Sequence, residues 1–520
     1  MSQRENLPKS DQALGSPDPE TPDTTLRRGT LGLIGIIFFV VAASAPLAGM
    51  TGAFPVAAVI LGPGAVGMYL VVGIVLLLFS VGYATMSHYV TNTGAFFAYV
   101  GRGLGITPGV GSAFVSVLAY LTVQWAVFGF IGGQMAIQFN AKFGIDIPWY
   151  VYTIIIALLA WVLSALSVDI GSKVLGVLLA FELLALVIVG IAAIVNGGPQ
   201  GPNFEASFNP AHIFEGGLMA GAGVAFAFAL ASFIGFEATA IYGEESKDPK
   251  RTVPKATYIS VILITLIFTI VGFGLVTGVG ADGLQEKVFE MSGGLVDPSA
   301  MLFGVTTQFV GSWLTEVFGW IVLTSLFAAT LAFQNSAARY FFAMGRAGVL
   351  PRRLDRTNKQ QAPIVATTVV TILGLLIIVI AIIFNWDPFL NVFYWFSSVS
   401  VIAIVLTEIL VSIAVIAYFK RTKEDTRVWH TLIAPVLAII GLVLGEFMLI
   451  SRFNLLAGVS QGGDPAACPG DFGSGCGPFE MNGLGWFLVA LPFIIFVIGL
   501  IVGAVRRNKE NYDAVHNFVS

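Results

Sequence analysis

The sequence Ser232-Phe-Ile-Gly-Phe-Glu237, followed by Ala-Thr-Ala-Ile-Tyr-Gly and the charged run Glu244–Pro254, decides the fold. An apolar helix enters this stretch, is interrupted at its Ser/Gly segment, resumes with a glutamate and ends in charged residues. A charged end after roughly 20 apolar residues is typical of a membrane-spanning helix. The interruption frees backbone N–H and C=O groups in mid-membrane, and a bound substrate can be their partner.

The whole chain is strongly apolar. It has 520 residues, of which 56% are hydrophobic and only 11% are charged. This balance excludes an ordinary soluble domain and predicts an all-α polytopic membrane protein. Twelve transmembrane helices are predicted, and several are long enough to require tilt or breaks. Their approximate bounds are 30–60, 64–88, 108–139, 148–167, 170–196, 213–243, 254–279, 313–345, 362–384, 389–419, 431–450 and 484–506.

Basic residues are distributed unevenly over this predicted topology. If both termini are cytoplasmic, all of the 26 Lys and Arg residues except Lys142, Lys287 and Arg452 fall in cytoplasmic segments. The positive-inside rule is then satisfied. We therefore predict a multi-pass plasma-membrane protein with both termini in the cytoplasm.

The only two cysteines, Cys468 and Cys476, lie in one Gly/Pro-rich loop that this orientation places outside the membrane. An extracytoplasmic position favours a local disulfide bond. Two free thiols are the alternative.

Two predicted spans are interrupted in comparable ways. Span one contains Ser44-Ala-Pro46 followed by Gly49; the proline removes a backbone donor and the glycine weakens the helix. Span six contains the interruption 232–235. Because these spans are five apart, an inverted repeat of five plus five helices would make the two breaks symmetry mates at the bilayer midplane. The alternative for either break alone is an ordinary kink in a membrane helix.

The motifs around these breaks resemble a known family. The run 232–237, with Glu244-Glu-x-Lys-x-Pro249-x-Arg251-x-x-Pro254-x-Ala256, resembles the sixth-span signature of the amino acid–polyamine–organocation (APC) superfamily of secondary transporters. Arg339–Pro351 and Gly94–Tyr99 resemble two further segments of that family. The resemblance covers most of residues 30–420.

This resemblance implies a leucine-transporter-like core of ten helices in two inverted repeats, with two extra helices and alternating access. The implied parts are a disordered cytoplasmic tail 1–29, a transport core 30–420, two additional helices in 421–506 with an outer loop 451–483, and a cytoplasmic tail 507–520.

An amino acid or a related amine is expected to bind between the breaks. The positive end of the second half of span one would face a carboxylate. The freed carbonyls at the second break would receive an ammonium group, and Phe233 would cover the substrate. The predicted site comprises Ser44, Ala48, Gly49, Met50, Ala231, Ser232, Phe233, Ile234, Gly235, Gln124 and Thr324, with Trp125, Phe128, Ser325 and Phe327 as further pocket residues. Ala48-Gly49-Met50 departs from the Gly-small-Gly triplet of the family.

Intramembrane acids are the expected carriers of ion coupling. Glu237, just cytoplasmic of the second break, and Glu182 in span five are the candidates for proton exchange. The alternative for each is a neutral, hydrogen-bonded structural residue, and this is the favoured reading of Glu408 and Glu446. No cofactor is expected apart from a coupling ion, H⁺ or Na⁺.

Charged residues at the cytoplasmic mouth are predicted to form an inner gate whose ion pairs form in one state and break in the other. These residues are Glu244, Glu245, Lys247 and Arg251, with Arg339 and Arg346 as partners from span eight. The alternative is a solvated loop, in which exposed pairs contribute little.

The sequence contains no nucleotide-binding loop, no clustered His/Cys metal set and no nucleophile–His–acid arrangement. We therefore predict a secondary active transporter of an amino acid, coupled to protons, and not an enzyme or a metalloprotein. The alternatives are a permease for polyamines or other amines, an amino acid exchanger and, more distantly, a transporter-like sensor or channel. The expected partners are a small-molecule substrate and the lipid bilayer, without nucleic acid; the oligomeric state is open.

Overall fold

A computed structural model describes residue 29 and residues 31–90, 94–166, 168–295, 297–461 and 476–505. The predicted tail 507–520 and all but residue 29 of the predicted tail 1–29 lie outside the described residues. Regular structure within these ranges is helical, which confirms the prediction of an all-α polytopic membrane protein.

The helices alternate between long spans and short connecting pieces. They are α1 (Leu33–Ser44), α2 (Pro46–Ala48), α3 (Phe54–Leu61), α4 (Ala65–Ser87), α5 (Phe96–Leu104), α6 (Ile106–Phe143), α7 (Trp149–Leu166), α8 (Val168–Asn196), α9 (Phe204–Phe208), α10 (Pro210–Ile213), α11 (Ala222–Phe233), α12 (Ala238–Ile241), α13 (Pro249–Val279), α14 (Leu284–Met291), α15 (Ala300–Phe309), α16 (Ser312–Arg346), α17 (Ile364–Ile383), α18 (Tyr394–Thr422), α19 (Ala434–Ser451), α20 (Phe453–Leu456) and α21 (Gly483–Val505). Wider π-helical turns at Gly49–Ala53, Pro388–Phe393 and Trp429–Ile433 lead into α3, α18 and α19.

Eleven helical stretches in the described ranges are long and apolar enough to cross a bilayer. The first of them, Leu33–Ser87, has 55 residues and covers two of the twelve predicted spans. A continuous α-helix of that length would extend about 80 Å, more than twice the hydrocarbon thickness of about 30 Å. The stretch is interrupted between these two predicted spans, at the tight turn Gly62–Gly64.

Helix α6 occupies a central position, because it packs against α5, α16, α18 and α21. Small residues allow the closest of these approaches. A Cβ atom added at Gly499 of α21 would lie only 2.8 Å from the Cα atom of Gly111 in α6. The last described helix is therefore in backbone contact with the centre of the bundle.

The first break separates α1 from α2. Helix α1 ends at Ser44, and Ala45 adopts the left-handed conformation with φ 41° and ψ 69°. Pro46 then opens α2, where a missing N–H is tolerated because the first turn of a helix has no acceptor for it. The proline ring would clash with the carbonyl of Ala42 in a continuous helix, so the break follows from the sequence.

The second break separates α11 from α12. Helix α11 ends at Phe233 and α12 begins at Ala238. Between them Gly235 has a φ of 117°, a conformation that side chains disfavour. A Cβ atom at this position would lie 2.4 Å from the Cβ atom of Ala43, which precedes the first break. The two breaks therefore touch each other.

One end of the bundle, which we call the basic end, carries Arg339, Arg346 and the segment that follows α12. There the chain preceding α1 is joined to the chain following α12 by main-chain hydrogen bonds. The Leu31 N–H donates to the Glu245 carbonyl at 3.0 Å, and the Lys247 N–H donates to the Leu31 carbonyl at 2.9 Å. Spans one and six are thus linked at the basic end as well as at their breaks.

At the opposite end the chain after α20 folds back onto α19. The Phe479 N–H donates to the Ser451 carbonyl at 2.8 Å, and Arg452 Nη1 donates to the Cys476 carbonyl at 2.8 Å. Cys476 is disulfide-bonded. Cys468, the only other cysteine of the sequence, lies outside the described residues.

Replacement of Gly235 by valine should destabilise the protein, since the new side chain would meet Ala43 and force a β-branched residue into a glycine conformation. Overpacking of this kind costs about 1–3 kcal/mol. We expect a lower melting temperature for the detergent-solubilised variant. Gly243→Val is the matched control, because the atom nearest to a Cβ there is 4.0 Å away; equal melting temperatures for both variants would contradict this account.

Candidate functional site

A cavity lies where the two breaks meet. It contains about 590 Å³ of space that no atom occupies, including its open mouth. Residues from spans one, three, six, eight and ten form its walls. They are Ala43, Ser44, Ala45, Ala48, Gly49, Ala53, Val123, Ala126, Val127, Phe130, Phe228, Ala231, Ser232, Ile234, Leu326, Ala329, Phe333, Phe393 and Ser397.

The structure places six of the predicted binding residues on this cavity. They are Ser44, Ala48, Gly49, Ala231, Ser232 and Ile234. All six belong to the two breaks, which the sequence marks by proline and glycine.

The other predicted binding residues do not line the cavity. Met50 and Phe233 are fully buried in the core, and the Phe233 ring packs on Phe268 with ring centroids 5.5 Å apart. Gly235 contacts Ala43. Thr324 donates its hydroxyl hydrogen to the Ile321 carbonyl at 2.9 Å.

Gln124 also faces away from the cavity. Its Nε2 donates to Gln334 Oε1 at 2.5 Å, and Gln334 Nε2 in turn donates to Thr371 Oγ1 at 2.8 Å. This amide chain ties spans three, eight and nine together. Gln124 is therefore part of the scaffold behind the cavity wall.

Sequence reasoning missed most of the apolar wall. Span three lines the cavity with Val123, Ala126, Val127 and Phe130, whereas Gln124, Trp125 and Phe128 were expected there. The spacing of the observed residues defines one helical face. That spacing was visible in the sequence, but a span that is apolar on every side offers several such faces.

No ionisable side chain lines the cavity among the described residues. Its polar groups are the hydroxyls of Ser44, Ser232 and Ser397 and the backbone of the breaks. The Ser44 hydroxyl donates to the Val41 carbonyl at 2.9 Å, and the Ser232 hydroxyl donates to the Phe228 carbonyl at 2.8 Å. Two of the three hydroxyl hydrogens are thus already engaged.

Glu237 holds the second break in place from outside the cavity. Its Oε2 accepts the Gly235 N–H at 2.9 Å, and its Oε1 accepts the Tyr120 hydroxyl at 2.7 Å. The Tyr83 hydroxyl donates to the Glu237 backbone carbonyl at 2.5 Å. One buried glutamate thereby connects the interruption of span six to spans two and three.

Glu182 plays the corresponding part at the first break. Its Oε1 accepts the Leu47 N–H at 2.8 Å and the Ser325 hydroxyl at 2.9 Å. The side chain is buried, so the carboxyl group joins spans one, five and eight in the interior. The N–H that would otherwise be free at the start of α2 is thus taken by the protein itself.

Glu408 and Glu446 differ from these two acids. Both are buried, but Glu408 Oε2 and both carboxyl oxygens of Glu446 have no hydrogen-bond partner among the described residues. The expectation of hydrogen-bonded structural residues is therefore wrong for these oxygens. Neither side chain lines the cavity.

Two ion pairs lie at the basic end. Arg339 and Glu245 form a bidentate pair, with Nε–Oε1 at 2.7 Å and Nη2–Oε2 at 3.1 Å, and both side chains are almost completely buried. The Arg339 guanidinium also lies 4.7 Å from the centroid of the Tyr242 ring. Arg346 binds Glu244, with Nη2–Oε1 at 2.6 Å.

The structure brings four of the six predicted gate residues into these pairs and leaves two outside them. Lys247 and Arg251 are exposed. Arg251 lies 3.8 Å from Asp248, an exposed contact within one helical turn. Such a contact contributes little.

Comparison with known proteins identifies the family to which this chain belongs. Residues 31–463 match the family model described as "Amino acid permease". The branched-chain amino acid permease of Lactococcus lactis is 28% identical over 330 residues, which are 59% of this chain and 66% of that protein. The histidine permease of Saccharomyces cerevisiae is 25% identical over 326 residues, 61% of this chain and 52% of that protein.

A mammalian relative shows a similar likeness. The large neutral amino acids transporter small subunit 2 of Mus musculus is 26% identical over 355 residues, 65% of this chain and 63% of that protein. The chain thus spans between about half and two thirds of the length of these relatives. Because the family model matches most of its length, this chain belongs to the amino acid permease family of the APC superfamily, whose members are transporters and not enzymes.

Proposed function

We propose that this protein is a secondary active transporter that moves amino acids with apolar side chains across the plasma membrane by alternating access, coupled to protons. The observation that carries the proposal is the cavity between the two breaks, with its apolar wall and, among the residues that the structure describes, no ionisable side chain. A cationic side chain placed there would lose its hydration without gaining a counter-ion. The same argument disfavours the alternative of a polyamine substrate.

The second break offers acceptors for the ammonium group of the substrate. No backbone N–H of the described residues donates to the carbonyls of Ser232 or Ile234. The first break offers fewer free N–H donors to the substrate carboxylate, because the Leu47 N–H already donates to Glu182. The ammonium end of the site is therefore better supported than the carboxylate end.

The proposal also includes the orientation of the chain in the membrane and the inverted repeats of its core. The Lys and Arg distribution supports cytoplasmic termini and places the basic end on the cytoplasmic side. Contact between Gly235 and Ala43 supports a core in which spans one and six are paired members of two inverted repeats. The ion pairs at the basic end then correspond to a closed inner gate.

A thermal-shift series on the purified protein tests the substrate class. Leucine, isoleucine and valine should raise the melting temperature, whereas arginine, glutamate and spermidine should not; a ligand at 100 times its Kd stabilises by about 2.7 kcal/mol. Val127→Trp, which fills the cavity, should abolish the shift, and Ile137→Trp on the exposed face of the same helix should retain it. A shift with spermidine alone would favour the polyamine alternative.

Glu182 is our candidate for proton coupling. Its carboxyl group bonds to span one through Leu47 and to span eight through Ser325. Separation of these spans would remove both donors and leave a buried acid without a partner, a situation in which the neutral form is favoured. Binding of a proton would in this way accompany opening of the site.

Glu182→Gln should uncouple transport, since an amide preserves the size of the side chain but cannot exchange a proton. In proteoliposomes we expect accumulation of leucine driven by a proton gradient to fall by about tenfold or more, equivalent to about 1.4 kcal/mol. Glu205→Gln, an exposed acid at the start of α9, is the control. Undiminished accumulation by Glu182→Gln would remove Glu182 from the mechanism.

Arg339→Ala should open the basic end and destabilise the protein. Removal of one member of a buried pair costs about 3–5 kcal/mol, because the remaining charge is left without its partner. We expect a reduced melting temperature and faster labelling of an Ala329→Cys reporter by a thiol reagent applied from the cytoplasmic side. Arg251→Ala is the exposed control. Equal labelling in both backgrounds would contradict the gate.

A further inference from the structure

Two buried acids lie outside the substrate cavity and outside the gate. Glu408 in α18 is 1% exposed and Glu446 in α19 is 9% exposed. The ion pairs found among the described residues involve neither of them. Three of their four carboxyl oxygens have no hydrogen-bond partner in the described part of the chain. Such groups are rare in a folded protein and call for an explanation.

Glu446 is held firmly in the contact between spans six and eleven. A Cβ atom added at the neighbouring Gly445 would lie 1.9 Å from the Phe226 ring of α11. A Cβ atom at Gly223 of α11 would lie 2.1 Å from the carbonyl oxygen of Met448 in α19. Helix α19 thus packs tightly on α11 on both sides of Glu446, against the Phe226 ring at Gly445 and against the Gly223 backbone at Met448.

Glu408 connects this contact to the second break. Its helix α18 packs against α19, which carries Glu446, and against α11, which leads into the second break, and Glu408 interacts electrostatically with Glu446 and with Glu237. Glu237 in turn accepts the Gly235 N–H. The three acids therefore belong to spans eleven, ten and six, which pack against one another.

The surroundings of these three acids contain hydroxyl groups and, within the described part of the chain, no cation that interacts with them. The titratable side chains that interact with Glu237 are Tyr120 from α6, Tyr83 from α4, Tyr340 from α16 and Glu408 from α18. Among the described residues, the charged groups that interact with Glu408 are Glu237 and Glu446, and no cation interacts with Glu408 or Glu446. Among the described residues, an ionised carboxylate at Glu446 would thus have neither a hydrogen-bond donor nor a counter-ion, and one at Glu408 would have no counter-ion and no donor to its Oε2 atom.

We propose that Glu408 and Glu446 form a proton-binding site that is separate from the substrate cavity and is linked through Glu237 to the second break. A bound proton removes the cost of a buried, unpaired charge and the repulsion between neighbouring carboxylates. With Glu408 neutral, Glu237 can be ionised and hold the Gly235 N–H and the Tyr120 hydroxyl. Loss of that proton places a second negative charge beside Glu237 and disfavours the arrangement of the break.

Span eleven lies in the region 421–506 that the ten-helix core does not require. The proposed site gives this helix a role, since Glu446 would set the charge state of the acid that supports the break. Occupancy of the site by a proton does not depend on the proposed transport function. Only its effect on uptake rests on that function.

Infrared spectroscopy of the purified full-length protein tests the occupancy. At neutral pH the wild type should show the C=O stretch of protonated carboxylic acids, and Glu408→Gln and Glu446→Gln should each remove part of that band. Glu205→Gln should remove absorption of an ionised carboxylate instead. If the Glu408 and Glu446 variants also lose only carboxylate absorption, the proposal is overturned.

Two further arms complete the test. Replacement of choline by sodium in the buffer at constant pH should leave the C=O band of the protonated carboxylic acids unchanged. Loss of that band would mean a sodium site and would overturn the proton assignment. Glu446→Asp keeps an ionisable group and should retain the band if Glu446→Gln fails to fold.

In proteoliposomes Glu446→Gln should shift the pH profile of leucine uptake, and an unchanged profile would overturn the link to the break. Absence of uptake in the wild type would refute the proposed function but leave the infrared result intact.

Discussion

The hydrogen bond from the Leu47 N–H to Glu182 is the interaction on which the architecture depends. A helix cannot be interrupted within hydrocarbon unless the freed backbone groups find partners, because each unpaired group there costs several kcal/mol. Glu182 provides that partner at the first break and Glu237 provides it at the second. Two buried acids thus make two broken helices compatible with a membrane interior.

This arrangement also shapes the cavity. Since the carboxyl groups bind N–H groups from behind the breaks, the cavity side is left with carbonyl oxygens, small side chains and an apolar wall. The charged residues lie away from it, at the basic end, where Arg339 and Glu245 are buried together. The cavity is therefore separated from the buried charges of the basic end.

The breaks could be predicted from the sequence because their residues have few other uses. Pro46 cannot continue a helix, and Gly235 is one of the few residues that tolerate a φ of 117°. At each break a strong local constraint pointed to one structure. At the basic end the sequence indicated the acids and arginines of the two ion pairs, but also Lys247 and Arg251, which lie outside them.

The walls of the cavity could not be predicted in the same way. On α6 the rotation that places Val123 and Val127 on the cavity, and Gln124 on Gln334, is decided by packing against the helices that surround it. Periodicity identifies a face only when one side of a helix is polar. The unpartnered oxygens of Glu446 were equally hidden, because the absence of a donor is a property of the neighbours and not of the residue itself.

The two main-chain bonds between Leu31 and the segment 245–247 have a consequence for how the family can diverge. They use only peptide groups, so almost any side chain can replace Leu31 or Lys247 without removing them. Replacement of one member of the Arg339–Glu245 pair would leave the other charge buried without its partner. The basic end therefore combines contacts that are insensitive to side-chain identity with a contact that depends on both side chains.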